Sequence, residues 1–212
     1  MPALLLVAHG SLDPRFAAVV AAVADEVRRR APDVDVRVGF LDHGPPSVAE
    51  VAVAGAVAVP LLLSAGYHVR TDLPAQAPEV TVTDAVGPDP RLAVAMADRL
   101  AEAGWDGDGP VTLAAAGSAD ERAQADVRQA AQLLGERLGV RVSVAHVAAG
   151  EPRLADVGPR VVASYLLAPG RFADQVAACG AAVVSAPIGA HPLVAEIALD
   201  RYTRRLRTAG DH

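Results

Sequence analysis

Short runs of valine and leucine alternate along the chain with segments whose apolar residues recur every three to four positions. In the first hundred residues the runs fall at 4–7, 34–40, 57–63 and 80–82. Between the first two, Phe16, Val19, Val20, Val23 and Val27 follow the helical period, and Asp13-Pro14 supplies a cap and a first-turn proline. Leu92, Met96 and Leu100 form another helical stripe. Further on, Val127, Ala131, Leu134 and Leu138 share one helix face, with Ser118 and Glu121 at the spacing of a capping box. Strands that are almost wholly apolar and alternate with helices belong to parallel sheets covered on both faces.

The pattern is written twice. "AHGSLDPR" from Ala8 returns as "AAGSADER" from Ala115, and "PPSVAEV" ending at Val51 returns as "EPRLADV" ending at Val157. "LLLSAG" ending at Gly66 returns as "YLLAPG" ending at Gly170, and "VGPDPRLA" as "IGAHPLVA". The order is kept while the separation shrinks by a few residues, as small loop deletions would make it. The Gly/Asp-rich "GWDGDGP", residues 104–110, reads as the junction. The fold class expected is α/β: two similar domains from an internal duplication, 1–105 and 106–212. Each is expected to hold a small parallel sheet of about four strands flanked by helices.

Composition narrows the function. The hydrophobic share is 52%, with only 3% aromatic residues, which is a globular composition and not a disordered one. All nineteen basic residues are arginine, which reads as coding bias. A net charge of -6 and the absence of any basic run argue against a nucleic-acid partner. The single cysteine, Cys179, excludes an internal disulfide and any CxxC site, and its small-residue surroundings suit a buried inert thiol. The apolar run from Ala3 to Ala8 lacks a cationic flank and is too short for a signal peptide. The uncharged stretch 51–67 is broken by Gly55, Pro60 and Gly66, so it suits a helix end and a buried strand better than a membrane span. A cytoplasmic protein with no membrane partner is expected.

In open parallel sheets, ligands bind beyond the carboxyl ends of the strands. His9 follows the first strand, Asp42 and His43 the second, and His68 the third, after the Gly66 turn in "PLLLSAGYHVRTDLP". Two imidazoles and a carboxylate suit an open, labile site for Fe²⁺ or Co²⁺, and the same ligands accept Ni²⁺. A closed structural zinc site would call for cysteine. Histidine is also the natural proton acceptor near neutral pH. Asp42 reads equally as a cap or turn former, and His43 as its solvated neighbour. Tyr67 reads equally as a pocket wall and a loop aromatic. His146 and His191 read as structural residues, and His212 as part of the tail. No GxGxxG opens a helix, and GxxxxGK[ST] and GxSxG are absent. Ala8 precedes His9 where a histidine phosphatase would need arginine, which counts against a phosphate-handling nucleophile.

The stretches "LLLVAHGSLDPR", "VRVGFLDHGPPSVAEV" and "VAVPLLLSAGYHVRTDLP" resemble the class II tetrapyrrole chelatases of the sirohydrochlorin chelatase type, including the cobalt enzymes of cobalamin synthesis. With the repeated copy, the resemblance covers nearly the whole chain. It implies a chelatase-like two-domain fold that inserts Co²⁺ or Fe²⁺ into a sirohydrochlorin-type tetrapyrrole with loss of two pyrrole protons. It implies no organic cofactor and no nucleotide. His9 and His68 would be metal ligands and proton acceptors, and Asp42 stands where the family often has glutamate. The substrate's many carboxylates would be met by Arg15 and Arg70, with Tyr67 beside them; each arginine reads equally as a surface salt bridge. In the second half Ala116 replaces His9 and Phe172 replaces His68. One active site is therefore expected, on the first half of a monomer, with Tyr165, Arg171 and Phe172 offering the opposite wall of an intramolecular cleft. The same residues leave open a non-catalytic protein that delivers metal or tetrapyrrole. Both the siroheme and the cobalamin pathway also stay open.

Overall fold

A computed structural model describes residues 1–64, 66 and 71–210. The first repeat runs β1 (Leu4–Gly10), α1 (Pro14–Arg30), β2 (Val36–His43), α2 (Val48–Val51), β3 (Val57–Pro60), α3 (Leu73–Gln76), β4 (Thr81–Val82) and α4 (Pro90–Glu102). The second runs β5 (Val111–Gly117), α5 (Glu121–Leu138), β6 (Val142–Ala149), α6 (Leu154–Val157), β7 (Val161–Tyr165), α7 (Arg171–Ala177), β8 (Val183–Val184) and α8 (Pro192–Gly210). Each repeat forms a four-stranded sheet, in the orders β2-β1-β3-β4 and β6-β5-β7-β8. Every pairing is parallel. The expected α/β architecture, two parallel four-stranded sheets flanked by helices, is the one observed.

Central strands explain the apolar runs. β1 lies between β2 and β3, and Leu4, Leu5 and Leu6 on it are fully buried although they alternate faces. Burying such a side chain contributes about 1.5–3 kcal/mol, so a strand covered on both sides has no place for a polar residue until its end. α1 buries Val20, Val23, Ala24 and Val27 and is capped by Asp13, whose carboxylate accepts from the Arg15 amide at 2.9 Å. Arg28, Arg29 and Arg30 occupy its last turn, where cations complement the helix dipole.

Several boundaries differ from expectation. The Ser118–Glu121 capping box is not what forms, because α5 begins one residue past Asp120, and it is Asp120 that accepts from the Arg122 amide. Ser118 instead accepts from the Asp120 amide at 3.0 Å, as Ser11 does from Asp13 at 3.1 Å. Among the described residues a capping box forms at Ser47–Glu50, at the start of α2. β2 reaches His43 instead of stopping at Phe40. After Ala8 pairs with Phe40 the register shifts, and the next pair is Gly10 with His43, leaving an extra β2 residue as a bulge. Gly10 (φ +98°) permits this, since a Cβ there would lie 2.1 Å from the His43 carbonyl oxygen.

The packed units do not follow the repeats. The duplicated sequence restarts after the 104–110 linker, whereas one compact unit comprises residues 1–86 with 190–212 and the other 87–189. α8 packs on α1 and β3, and it is tied there by Arg201 to the Ala85 carbonyl (3.3 Å) and by the Tyr202 hydroxyl to the Pro2 carbonyl. α4 packs on α5 and β7. The last helix of each repeat thus completes the unit built on the other repeat's sheet. Among the described residues no helix is long and apolar enough to cross a membrane.

Candidate functional site

The carboxyl edge of the first sheet is where side chains with chemistry gather. The buried leucines of β1 give way to His9, half-buried at the bulge, and its Nδ1 lies 3.2 Å from the Gly10 carbonyl oxygen. A carbonyl only accepts, so the tautomer that satisfies this contact carries its hydrogen on Nδ1. Asp42 and His43 close β2 beside it. Both are about half exposed, and the His43 Nε2 is 3.3 Å from an Asp42 carboxylate oxygen. Regular pairing would set Asp42 opposite Gly10; the extra residue sets His43 there instead and leaves Asp42 at the bulge.

Tyr67, His68 and Arg70 lie outside the described residues. The chain on either side of them is described, and both flanks reach the same edge. The Leu61 amide extends the sheet by donating to the Val7 carbonyl at 2.7 Å, two residues before His9. On the far side, Gln76 of α3 donates to the Leu41 carbonyl at 2.8 Å, one residue before Asp42. Among the described residues no group of three or more His, Cys, Asp or Glu side chains is close enough to hold a metal ion. His9, Asp42 and His43 therefore do not by themselves form a metal-holding group.

Arg15 is engaged at the helix start, where its guanidinium grips both Asp13 oxygens at 2.6–3.1 Å. That grip holds the Asp13 carboxyl below its usual range. The pair lies on the surface, in keeping with the salt-bridge reading of Arg15.

The second sheet has the same edge without the chemistry. Its bulge repeats, with Ala115 opposite His146 and Gly117 opposite Ala149, and a Cβ on Gly117 would lie 1.8 Å from the Ala149 carbonyl oxygen. Register makes Ala116 the counterpart of His9, Ala148 that of Asp42, and Ala149 that of His43. Tyr165, offered from sequence as a wall residue, is only 3% exposed, and burial together with Asp126 and Asp89 pushes its hydroxyl pKa well up. It belongs to the core of the second unit. Phe172 and Arg171 are on the surface. His191 caps α8, accepting from the Leu193 amide at 3.3 Å. Cys179 is half-buried against the second core. What sequence reading missed is His146, whose burial no periodicity announced.

Comparison with known proteins gives the edge a lineage. A family model described as CbiX matches the chain twice, over residues 3–103 and 110–205. A Methanosarcina barkeri protein named Sirohydrochlorin cobaltochelatase is 35% identical over 78 residues, which is 34% of this chain and 60% of that protein's length. A Sulfolobus acidocaldarius protein of the same name is 34% identical over 105 residues, 43% of this chain and 84% of the relative. The structure described as SirB from Bacillus subtilis with Fe³⁺ superposes with a TM-score of 0.78, covering 95% of this chain and 94% of that one. At 22% identity that likeness speaks for the fold.

Proposed function

This chain belongs to the CbiX family, and we propose that it is a sirohydrochlorin chelatase that inserts Co²⁺ or Fe²⁺ into a sirohydrochlorin-type tetrapyrrole. The metal is a substrate, and no organic cofactor takes part. The observation that carries the reading is the edge of the first sheet, where His9 and Asp42 end neighbouring parallel strands and both flanks of the segment holding His68 reach the same place. The names of the Methanosarcina and Sulfolobus relatives point the same way.

The chemistry asked of the chain is metal exchange and proton removal. A divalent ion enters, two pyrrole N–H bonds break, and two protons leave, so charge balances without a nucleotide. His9 and His68 hold the hydrated ion through imidazole nitrogen, a borderline donor that binds Co²⁺ or Fe²⁺ without trapping it as thiolate would. Once the ion has moved to the macrocycle, the His9 imidazole takes a pyrrole proton. Asp42 adds negative charge beside the ion and lowers the cost of holding it at the sheet edge. Tyr67 and Arg70 meet the substrate's carboxylates and ring, whereas Arg15 stays in its salt bridge with Asp13. One chain supplies both repeats, so we read the working form as a monomer in the cytoplasm.

The test is anaerobic absorbance of sirohydrochlorin mixed with Co²⁺ or Fe²⁺. Conversion by the protein well above the spontaneous rate is expected, with loss in His68→Ala. Binding of the macrocycle without acceleration would replace the enzyme with a delivery protein.

A further inference from the structure

The second unit puts a histidine where the first has a phenylalanine. Ala8 pairs with Phe40 and Ala115 with His146, and the Phe40 amide donates to the Pro46 carbonyl (3.0 Å) as the His146 amide does to Pro152 (2.9 Å). Each also bridges to the residue after that proline, Ser47 or Arg153. The backbone is shared, and the side chain has changed from a hydrocarbon to a titratable ring. His146 is only 5% exposed, and its Nδ1 has no hydrogen-bond partner among the described residues.

Its ring is the floor of the turn that follows β6. At Gly150 (φ +107°), a Cβ would come within 3.0 Å of the ring's Cδ2 and 3.1 Å of its Cγ, so the turn backbone rests on the imidazole. The charged groups acting on the ring are Glu151 in that turn, Arg128 on α5 and Arg153 ahead of α6. β5, the strand paired with it, carries no charged residue. Burial is the largest influence and disfavours the protonated ring; Arg128 and Arg153 act the same way, and Glu151 opposes them.

We propose that His146 is an acid-release pin of the second unit: uncharged, it supports the Gly150 turn, and on taking up a proton it must reach water, which frees the turn and the end of β6. One proton adds to the ring nitrogen that holds the lone pair, and nothing else is consumed. This device does not depend on what the first unit catalyses. Because the folded chain binds this proton less well than the unfolded chain, the pin contributes fully above the unfolded value of about 6.5. Its contribution falls away as pH drops below that value.

The test uses the full chain and His146→Phe, the residue the first unit uses at this place. Between pH 7.5 and 5 the folding constant of wild type should fall about tenfold or more beyond that of His146→Phe. Hydrogen exchange, corrected for its intrinsic pH dependence, should show amides 146–153 of wild type deprotected at pH 5. Equal losses in the two proteins, or unchanged protection of that segment, would overturn the proposal. Should His146→Phe not fold, NMR titration of wild-type His146 decides: uptake well below pH 6.5 supports the pin, and uptake at or above it removes it.

Discussion

The two sheets share their backbone and differ at their edges. Both have the parallel order, the bulge, the glycine that lets the bulged strand pass, and a serine–aspartate pair that starts the following helix. Only the first edge carries His9, Asp42 and His43; the second carries Ala116, Ala148 and Ala149. A motif such as "GS" after the first strand is therefore scaffold, since it survives where the chemistry has gone. The exchange runs the other way two residues before Asp42, where the first unit's Phe40 corresponds to the second unit's His146.

The comparison predicts equal damage where the scaffold is shared. Gly10→Ala and Gly117→Ala each drive a Cβ into a carbonyl oxygen at about 2 Å. Each should cost about 3 kcal/mol or more in urea unfolding, as steric clash in a positive-φ position does. A large loss at Gly10 with none at Gly117 would mean that the two bulges are not the same device. A smaller effect is expected at the cap of α5, where Asp120→Ala should cost about 1 kcal/mol in the same assay.

The smallest effect separates the two leading helices by pH. On α1, hydrogen bonds from Arg29 and then Arg30 hold the Glu26 carboxyl down to about 2, whereas α5 carries Leu133 at that place. The folded value lies below the unfolded one, so the stabilisation is present above about pH 4.3 and is lost as pH falls toward 2. Glu26→Gln should flatten this part of the stability profile, and Leu133→Gln should leave it unchanged.

Much of this was legible in the sequence, for reasons that can be named. Apolar runs and helical stripes located the strands of the first repeat and helices α1, α4 and α5, because a strand buried on both faces admits little but valine and leucine; α8 carried no such reading of its own. The duplication was visible because its glycines and prolines are held by backbone geometry. The bulge was not, since it changes register without changing composition, and β2 was therefore expected to end three residues early. The crossing of α4 and α8 to the other repeat's unit was equally hidden, as an amphipathic stripe does not name the sheet it covers. The place of His9 and Asp42 at the carboxyl edge was legible because the apolar runs of β1 and β2 end there. His146 was not, because burial of a polar ring in the place of Phe40 becomes visible only once the register is known.

The central claim is that chemistry belongs to the first edge alone. Its most direct test measures the rate of Co²⁺ insertion into sirohydrochlorin by wild type, His9→Ala and Ala116→Ser. A loss of about 100-fold or more is expected in His9→Ala, the scale of a lost proton acceptor, and a wild-type rate in Ala116→Ser. A His9→Ala protein that is folded and turns over at the wild-type rate would contradict it.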